Sequence, residues 1–376
     1  MIDQLPTPAL LLDRPKLRRN INRLATRIGG LGGTLRPHVK TNKCIDVVDE
    51  IIAAGSCSGI TVSTLSEAEY FFQHDIADIT YAVGIAPNKL GAVADLMARG
   101  CDLKIILDNP DMARLVAAEG ERRGVTFSVL IELDTDGHRA GAKPEGDELL
   151  AIGQLLHESA GSELTGVLTH AGESYGCRTS EALLAMARQE RDRSVHAAKR
   201  LRAQRLPCPI VSIGSTPTAL AVDDLTGVTE VRAGVYVFFD LVMAGIGVCA
   251  PEEIAISVLA SVIGYQKDKS WAITDAGWMA MSRDRGTAHQ EVDQGYGLVT
   301  DLSGSPISDL IVSDSNQEHG IISSRRGEAL PFSQLPLGSL VRILPNHACA
   351  TAAKFDRYVV MEDSQIVAEW SRINGW

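Results

Sequence analysis

Lys40 closes the run Thr34-Leu-Arg-Pro-His-Val-Lys40, placing an amine at the end of an apolar stretch. A lysine amine attacks carbonyl groups and can tether one to the chain as a Schiff base. Arg139 lies in Asp134-Thr-Asp-Gly-His-Arg-Ala-Gly141, and His170 in Leu168-Thr-His-Ala-Gly172. Ser212-Ile-Gly-Ser-Thr-Pro-Thr218 is a small-residue stretch opening a helix, where backbone N–H groups and hydroxyls suit an anion. In the next run, Arg232-Ala-Gly-Val-Tyr236, Gly234 lets the backbone approach the same anion closely. Far downstream, Leu344-Pro-Asn-His-Ala-Cys-Ala-Thr351 sets His347 and Cys349 two residues apart. On an extended segment such residues share a face, so an imidazole nitrogen and a thiolate would share one metal ion. That donor pair favours Zn²⁺ over Mg²⁺ or Mn²⁺, although two protein ligands are fewer than a catalytic zinc usually has.

Each group also has an ordinary interpretation. Lys40 alone suits a solvated loop, His170 a satisfied interior histidine, Arg139 a salt bridge, Tyr175 a rim aromatic, and Gly-Ser-Thr-Pro an N-cap and turn. Gln317-Glu-His-Gly320 either adds polar groups to the His-x-Cys segment or is a turn.

What gives the groups joint meaning is the set of elements that must carry them. Short apolar runs at 34–40, 59–64, 79–83, 103–107, 126–133, 164–170, 209–213 and 230–236 alternate with amphipathic runs such as 65–72 and 180–206. Strand and helix repeated eight times predict a parallel sheet closed on itself, a (β/α)8 TIM barrel. An open doubly wound sheet is the competitor, but no Gly-x-Gly-x-x-Gly turn follows the first strand. Barrel enzymes keep their chemistry at the C-terminal ends of the strands. Lys40, Arg139, His170, the 212–218 loop and Gly234 all fall there.

From about residue 250 the texture changes to short strands between turns, at 257–263, 271–274, 295–300, 339–344 and 358–361. This predicts a second, mainly antiparallel β domain. The expected division is a barrel over 14–250 and a β domain made of 1–13 plus 251–376, with the N-terminal strand 9–13 joining the latter.

Composition narrows the function classes. The 376 residues are 45% hydrophobic and 22% charged, ordinary for a globular protein. A net charge of −11 with no basic run argues against a nucleic-acid partner, and no apolar run approaches membrane-spanning length. The seven cysteines are scattered and odd in number, which predicts reduced thiols and a cytoplasmic setting, and the N-terminus lacks the pattern of a signal peptide.

A lysine, an anion cradle, a histidine able to stack on a ring and an arginine at one barrel face describe a pocket for pyridoxal 5′-phosphate. With those residues in view, the chain resembles the fold type III pyridoxal-phosphate enzymes, the alanine-racemase-like barrels. Within them it resembles the D-serine dehydratase and D-threo-3-hydroxyaspartate dehydratase branch over essentially its whole length. The motifs behind this are Arg36-Pro-His-Val-Lys-Thr41, Gly59-Ile-Thr-Val-Ser-Thr-Leu-Ser-Glu-Ala-Glu69, Gly214-Ser-Thr-Pro217, Val231-Arg-Ala-Gly-Val-Tyr236 and Pro345-Asn-His-Ala-Cys349.

The resemblance implies that Lys40 is the Schiff-base lysine and the base at Cα. It implies further that His170 stacks on the pyridine ring, that Arg139 lies near the phenolic oxygen, and that Gly214, Ser215, Thr216, Gly234 and Val235 hold the phosphate. In alanine racemases an arginine at the place of Arg232 contacts the pyridine nitrogen. His347 and Cys349 match the zinc ligands of the dehydratases, whereas D-threonine aldolases have a carboxylate at the place of Cys349. The implied activity is elimination of water from a D-3-hydroxy amino acid, such as D-serine or D-threo-3-hydroxyaspartate, to give a 2-oxo acid and ammonia in a homodimer. The alternatives are retro-aldol cleavage of D-threonine-like substrates, racemisation with Tyr175 as a second base, or non-catalytic cofactor binding. The β domain with its His-x-Cys counts against the last.

Overall fold

A computed structural model of the chain describes residues 2–55 and 57–376. It divides into two compact units: Arg23–Gly234 with Gly375–Trp376, and Met1–Asn22 with Val235–Asn374. The strand β1 (Ala9–Asp13) belongs to the second of these.

The Arg23–Gly234 unit holds eight strands: β2 (Leu35–Pro37), β3 (Ile60–Val62), β4 (Asp78–Gly84), β5 (Asp102–Leu107), β6 (Phe127–Leu133), β7 (Ser162–Thr169), β8 (Ile210–Ile213) and β9 (Glu230–Ala233). All pair in parallel in the order β2-β9-β8-β7-β6-β5-β4-β3. The ends of that row meet through parallel bridges Leu35↔Cys57 and His38↔Thr61, so the sheet is a near-closed TIM-type barrel. Its strands are apolar almost throughout because a parallel barrel is covered on both faces. Val129, Leu130 and Ile131 on β6 and Val211 on β8, for example, are all buried.

The helices between the strands are punctuated by their caps. Thr64 accepts from the Glu67 N–H, Asn109 precedes Pro110 and accepts from Met112, and Thr179 accepts from Ala182 at the head of the helix Ser180–Ala203.

Four strands stop earlier than their apolar runs, among them β3, which ends at Val62 where the run continues to residue 64. β2 ends at Pro37, where the predicted strand continues to residue 40, because the chain wraps into a turn whose Asn42 and Lys43 N–H groups both donate to the Val39 carbonyl. β7 ends at Thr169, and β9 ends at Ala233, before Gly234 and the 3-10 turn Val235–Val237.

The other unit carries β1 and β10 (Ile256–Gln266), β11 (Trp271–Thr274), β12 (Gly297–Thr300), β13 (Pro306–Ser315), β14 (Gly320–Ser324), β15 (Leu340–Pro345), β16 (Arg357–Glu362) and β17 (Gln365–Ser371). Their order is β11-β14-β13-β12-β15-β10-β1-β16-β17, antiparallel except for β1 against β16. β10 is long enough to pair with β15 along one stretch and β11 along another, with a bulge between Val262 and Gly264 bending it towards β11. Strands β10 to β15 thereby close into an antiparallel barrel. The predicted second β domain and its N-terminal strand are both present. Gln317-Glu-His319 lies in the β13–β14 connection, where Asn316 N–H donates to the His319 carbonyl at 2.8 Å.

None of the seven cysteines is joined in a disulfide. Among the described residues no helix is long and apolar enough to cross a membrane.

Candidate active site

In the Arg23–Gly234 unit, Lys40 sits on the turn three residues beyond β2 and its side chain is exposed. Around it the turn is fixed. Thr41 and Asn42 are buried, and the Lys43 ammonium lies 3.1 Å from the carboxylate of Glu67, which is fully buried. Glu67 also accepts from the Ser63 N–H at 2.9 Å, tying the Lys40 turn to the loop after β3. The Lys40 N–H faces His38 Nδ1 at 3.5 Å.

His170 follows β7 directly. Its Nδ1 lies 3.2 Å from the Gly214 carbonyl, which can only accept, so the ring carries its proton on Nδ1 and presents a lone pair at Nε2. Burial, then the Lys40 charge, push the His170 ring down to about 3, with Arg232 and Arg139 acting in the same direction. His38 is likewise held well below its ordinary value by burial and by Lys40, Arg232 and His170. Two neutral imidazoles thus stand within the field of three cations, an environment made for an anionic, planar guest. Tyr175, half-buried on the 3-10 turn Gly172–Gly176, holds its ring centroid 6.2 Å from that of His170.

Arg139 is exposed, 3.8 Å from Glu132 Oε1. Glu132 sits near the end of β6, and burial raises its carboxyl while Arg139 and Arg232 oppose the shift. It stands out in the sequence only as a charge inside an apolar strand. Arg232 is 4% exposed, with Nη groups donating to the Thr169 carbonyl and the Ser212 hydroxyl. Burial pulls its guanidinium down against Glu230, Glu190 and Glu132, and its Nε is a buried donor without an acceptor. A pyridine nitrogen or a phosphate oxygen would satisfy that donor, so the pocket fits the cofactor.

The 212–218 loop differs from the expected cradle in how its donors are used. Gly214 N–H goes to Glu190 at 3.0 Å, and Ser215 N–H goes to the Thr218 hydroxyl at 3.0 Å within a capping box. Gly214 is at φ +132°, and a Cβ there would stand 2.1 Å from the Arg232 carbonyl, so this position tolerates only glycine. A Cβ at Gly234 would meet the His38 carbonyl at 2.9 Å. Thr216 is buried at the start of the helix Thr216–Ala221, and Val235 opens the turn that follows Gly234.

In the other unit, His347 caps the short helix Ala348–Ala352, so Cys349 lies in a first helical turn. The extended-segment rationale for their sharing a face therefore does not hold. Cys349 nevertheless acts on the His347 ring, favouring its charged form. His347 Nδ1 is 2.6 Å from Asp284 Oδ2. Burial pulls the imidazole down, but Cys349, Asp284 and Asp240 together raise it to about 11. Asp240, 2% exposed, accepts from the Ala348 N–H at 3.0 Å and from the Met243 N–H, fixing the loop. Among the described residues no group of three or more His, Cys, Asp or Glu side chains is placed to hold a metal ion. The donor pair still fits zinc chemistry, since a histidine ligand commonly donates its other ring N–H to a carboxylate, as His347 does to Asp284. Asp284 and Asp240 lie 63 and 108 positions from their partners and no local pattern marks them.

The chain resembles known proteins over nearly its whole length. The alanine racemase N-terminal domain model matches residues 12–242, and the serine dehydratase domain model matches residues 255–361. D-threo-3-hydroxyaspartate dehydratase of Delftia sp. (strain HT23) is 55% identical, covering 99% of this chain and 98% of its own. The chain belongs to this dehydratase family. D-serine dehydratase of Dictyostelium discoideum, another member, is 31% identical over 100% of this chain and 98% of its own. The solved structure of the Delftia dehydratase superposes with a TM-score of 0.97 at 54% identity, covering 100% of this chain and 99% of that one. The family uses pyridoxal phosphate, and the barrel with its antiparallel partner domain is the alanine-racemase-like fold.

Proposed function

We propose that this dehydratase eliminates water from a D-3-hydroxy amino acid of the D-threo-3-hydroxyaspartate or D-serine type. The barrel domain over 14–250 would carry pyridoxal phosphate, and the β domain of 1–13 plus 251–376 would carry a zinc ion. The observation that carries the choice of elimination is the His347–Cys349 pair backed by Asp284. A thiolate and an imidazole are suited to a borderline-soft ion, and elimination needs an acid at the β-hydroxyl where retro-aldol cleavage needs a base.

When bound, pyridoxal phosphate supplies an electron sink at Cα, and zinc on His347 Nε2 and Cys349 Sγ supplies a Lewis acid. The chain's own groups do the rest. The Lys40 amine would hold the cofactor and, when free, would remove the Cα proton. His170, its Nδ1 proton pinned by the Gly214 carbonyl, would stack on the cofactor ring. Arg139 would lie near the phenolic oxygen, Arg232 Nε offers a donor within the pocket, and Tyr175 would close the rim beside His170. Gly214, Ser215, Thr216, Gly234 and Val235 would frame the phosphate, with Gly214 and Ser215 acting through loop shape because their N–H groups are engaged within the protein. Loss of the Cα proton and the β-hydroxyl leaves an enamine, which takes up water to release a 2-oxo acid and ammonia. The protein is taken to work in the cytoplasm as a homodimer.

Lys40→Ala tests the assignment of the base. The variant should lose both 2-oxo acid release and the near-visible absorbance of lysine-bound cofactor. Oxo-acid release at the parent rate would reject it.

A further inference from the structure

Glu190 lies on the helix Ser180–Ala203 inside the run Arg188-Gln-Glu-Arg-Asp192, which has the composition of a solvated face, yet its side chain is 1% exposed. One carboxylate oxygen accepts two backbone donors, the Ala171 N–H at 3.0 Å and the Gly214 N–H at 3.0 Å. The Thr218 hydroxyl favours the charged form of this carboxylate, and the same hydroxyl accepts from the Ser215 N–H at 3.0 Å and donates to the Ser215 carbonyl. Ala171 directly follows His170, and the Gly214 carbonyl is the acceptor that fixes the His170 ring. Ser174 completes the lattice, its hydroxyl donating to the Ala171 carbonyl at 2.7 Å and lying 2.9 Å from the Ser215 hydroxyl. The loop after β7 and the loop after β8 thus converge on a single buried carboxylate. A residue needed only to fill space there would be apolar, since burying a carboxylate is costly and is retained where its hydrogen bonds are used.

We propose that Glu190 is a positioning residue for the cofactor: its carboxylate locks the loops after β7 and β8 together and so sets His170 and the Gly214–Thr216 turn before the cofactor binds. The inference rests on the assignment of this barrel mouth to pyridoxal phosphate. Glu190 touches neither cofactor nor substrate. It acts through the backbone on either side of the ring and at the phosphate turn.

The test compares the full-length wild type with Glu190→Asp, which keeps the charge but withdraws the carboxylate by one methylene, and with Glu190→Gln, which keeps reach and one acceptor oxygen. Each is stripped of cofactor, checked for fold by circular dichroism, and titrated with pyridoxal phosphate and with pyridoxal. The ratio of the two dissociation constants measures what the phosphate turn contributes, independently of turnover. Losing hydrogen bonds to a charged group predicts a ratio about ten- to a hundredfold smaller in Glu190→Asp, with Glu190→Gln within about threefold of wild type. A wild-type ratio in folded Glu190→Asp overturns the proposal.

Should Glu190→Asp not fold, amide hydrogen exchange on the wild type decides. Ala171 and Gly214 amides already protected before cofactor is added support pre-setting, and protection appearing only with cofactor overturns it. A wild type that shows no lysine-bound absorbance with pyridoxal phosphate removes the cofactor site itself and this inference with it. Normal wild-type binding beside an unaffected Glu190→Asp removes the Glu190 role alone.

Discussion

Removing the Asp284 carboxylate should weaken zinc binding without touching either ligand. Asp284 Oδ2 holds His347 Nδ1 at 2.6 Å, which keeps the proton on that nitrogen and turns Nε2 outward as the donor atom. In Asp284→Ala the ring can rotate and exchange tautomers, so each binding event must first select the competent form. Loss of such an orienting carboxylate typically costs about 10–100-fold in metal affinity, or about 1.4–2.7 kcal/mol. The Asp284 side chain is 35% exposed, so solvent screens part of its charge and the lower end is expected, about tenfold. Asp284→Asn keeps an acceptor for the Nδ1 proton and should lose less than the alanine variant. Both should fold, because His347 keeps access to water and the Asp284 carbonyl still accepts from Asn346 Nδ2. The assay is competition for zinc against a chromophoric chelator at fixed pH. Zinc affinity in Asp284→Ala within about twofold of the wild type would refute the orienting role.

Two further outcomes follow from buried charge and from protonation. Lys43→Met should destabilise the protein by about 3–5 kcal/mol in denaturant titration, because it leaves the Glu67 carboxylate buried without its cation; a loss below about 1 kcal/mol would contradict the pairing. His170 is held at about 3 when folded, against about 6.5 in the unfolded chain. Between those values the unfolded chain binds the extra proton, so stability from the neutral ring is complete above about pH 6.5 and declines as pH falls towards 3. The thermal midpoint of the wild type should therefore fall more steeply than that of His170→Gln below pH 6.5, and parallel profiles would contradict the depressed value.

The barrel was legible because its strands are buried on both faces and read as unbroken apolar runs, of which Val129-Leu-Ile131 is an example. The antiparallel unit was legible only in part. β13, β14 and β17 escaped notice: β13 reads Pro-Ile-Ser-Asp-Leu-Ile-Val-Ser-Asp-Ser and β17 Gln-Ile-Val-Ala-Glu-Trp-Ser, and their exposed polar positions break up the apolar signal. Strand ends ran long where turn hydrogen bonds override β propensity, as at Val39–Lys43. At the site, Lys40, His170, Gly214 and Gly234 stood out because each follows a strand. Glu190 did not, because its neighbours Arg188, Gln189, Arg191 and Asp192 disguise a buried carboxylate as part of a solvated face. Nor did Asp284, whose partnership with His347 joins distant segments. The His-x-Cys reading assumed an extended segment, whereas His347 is a helix cap and Cys349 lies in the first helical turn.

Product identity under metal control tests the central claim most directly. The purified protein is given D-threo-3-hydroxyaspartate, D-serine and D-threonine in turn, with chelator, without it, and with zinc restored, and 2-oxo acid, ammonia and glycine are measured. The account predicts 2-oxo acid and ammonia in equal amounts, abolished by chelator and recovered with zinc. Glycine with an aldehyde, or oxo-acid formation indifferent to chelator, would contradict it.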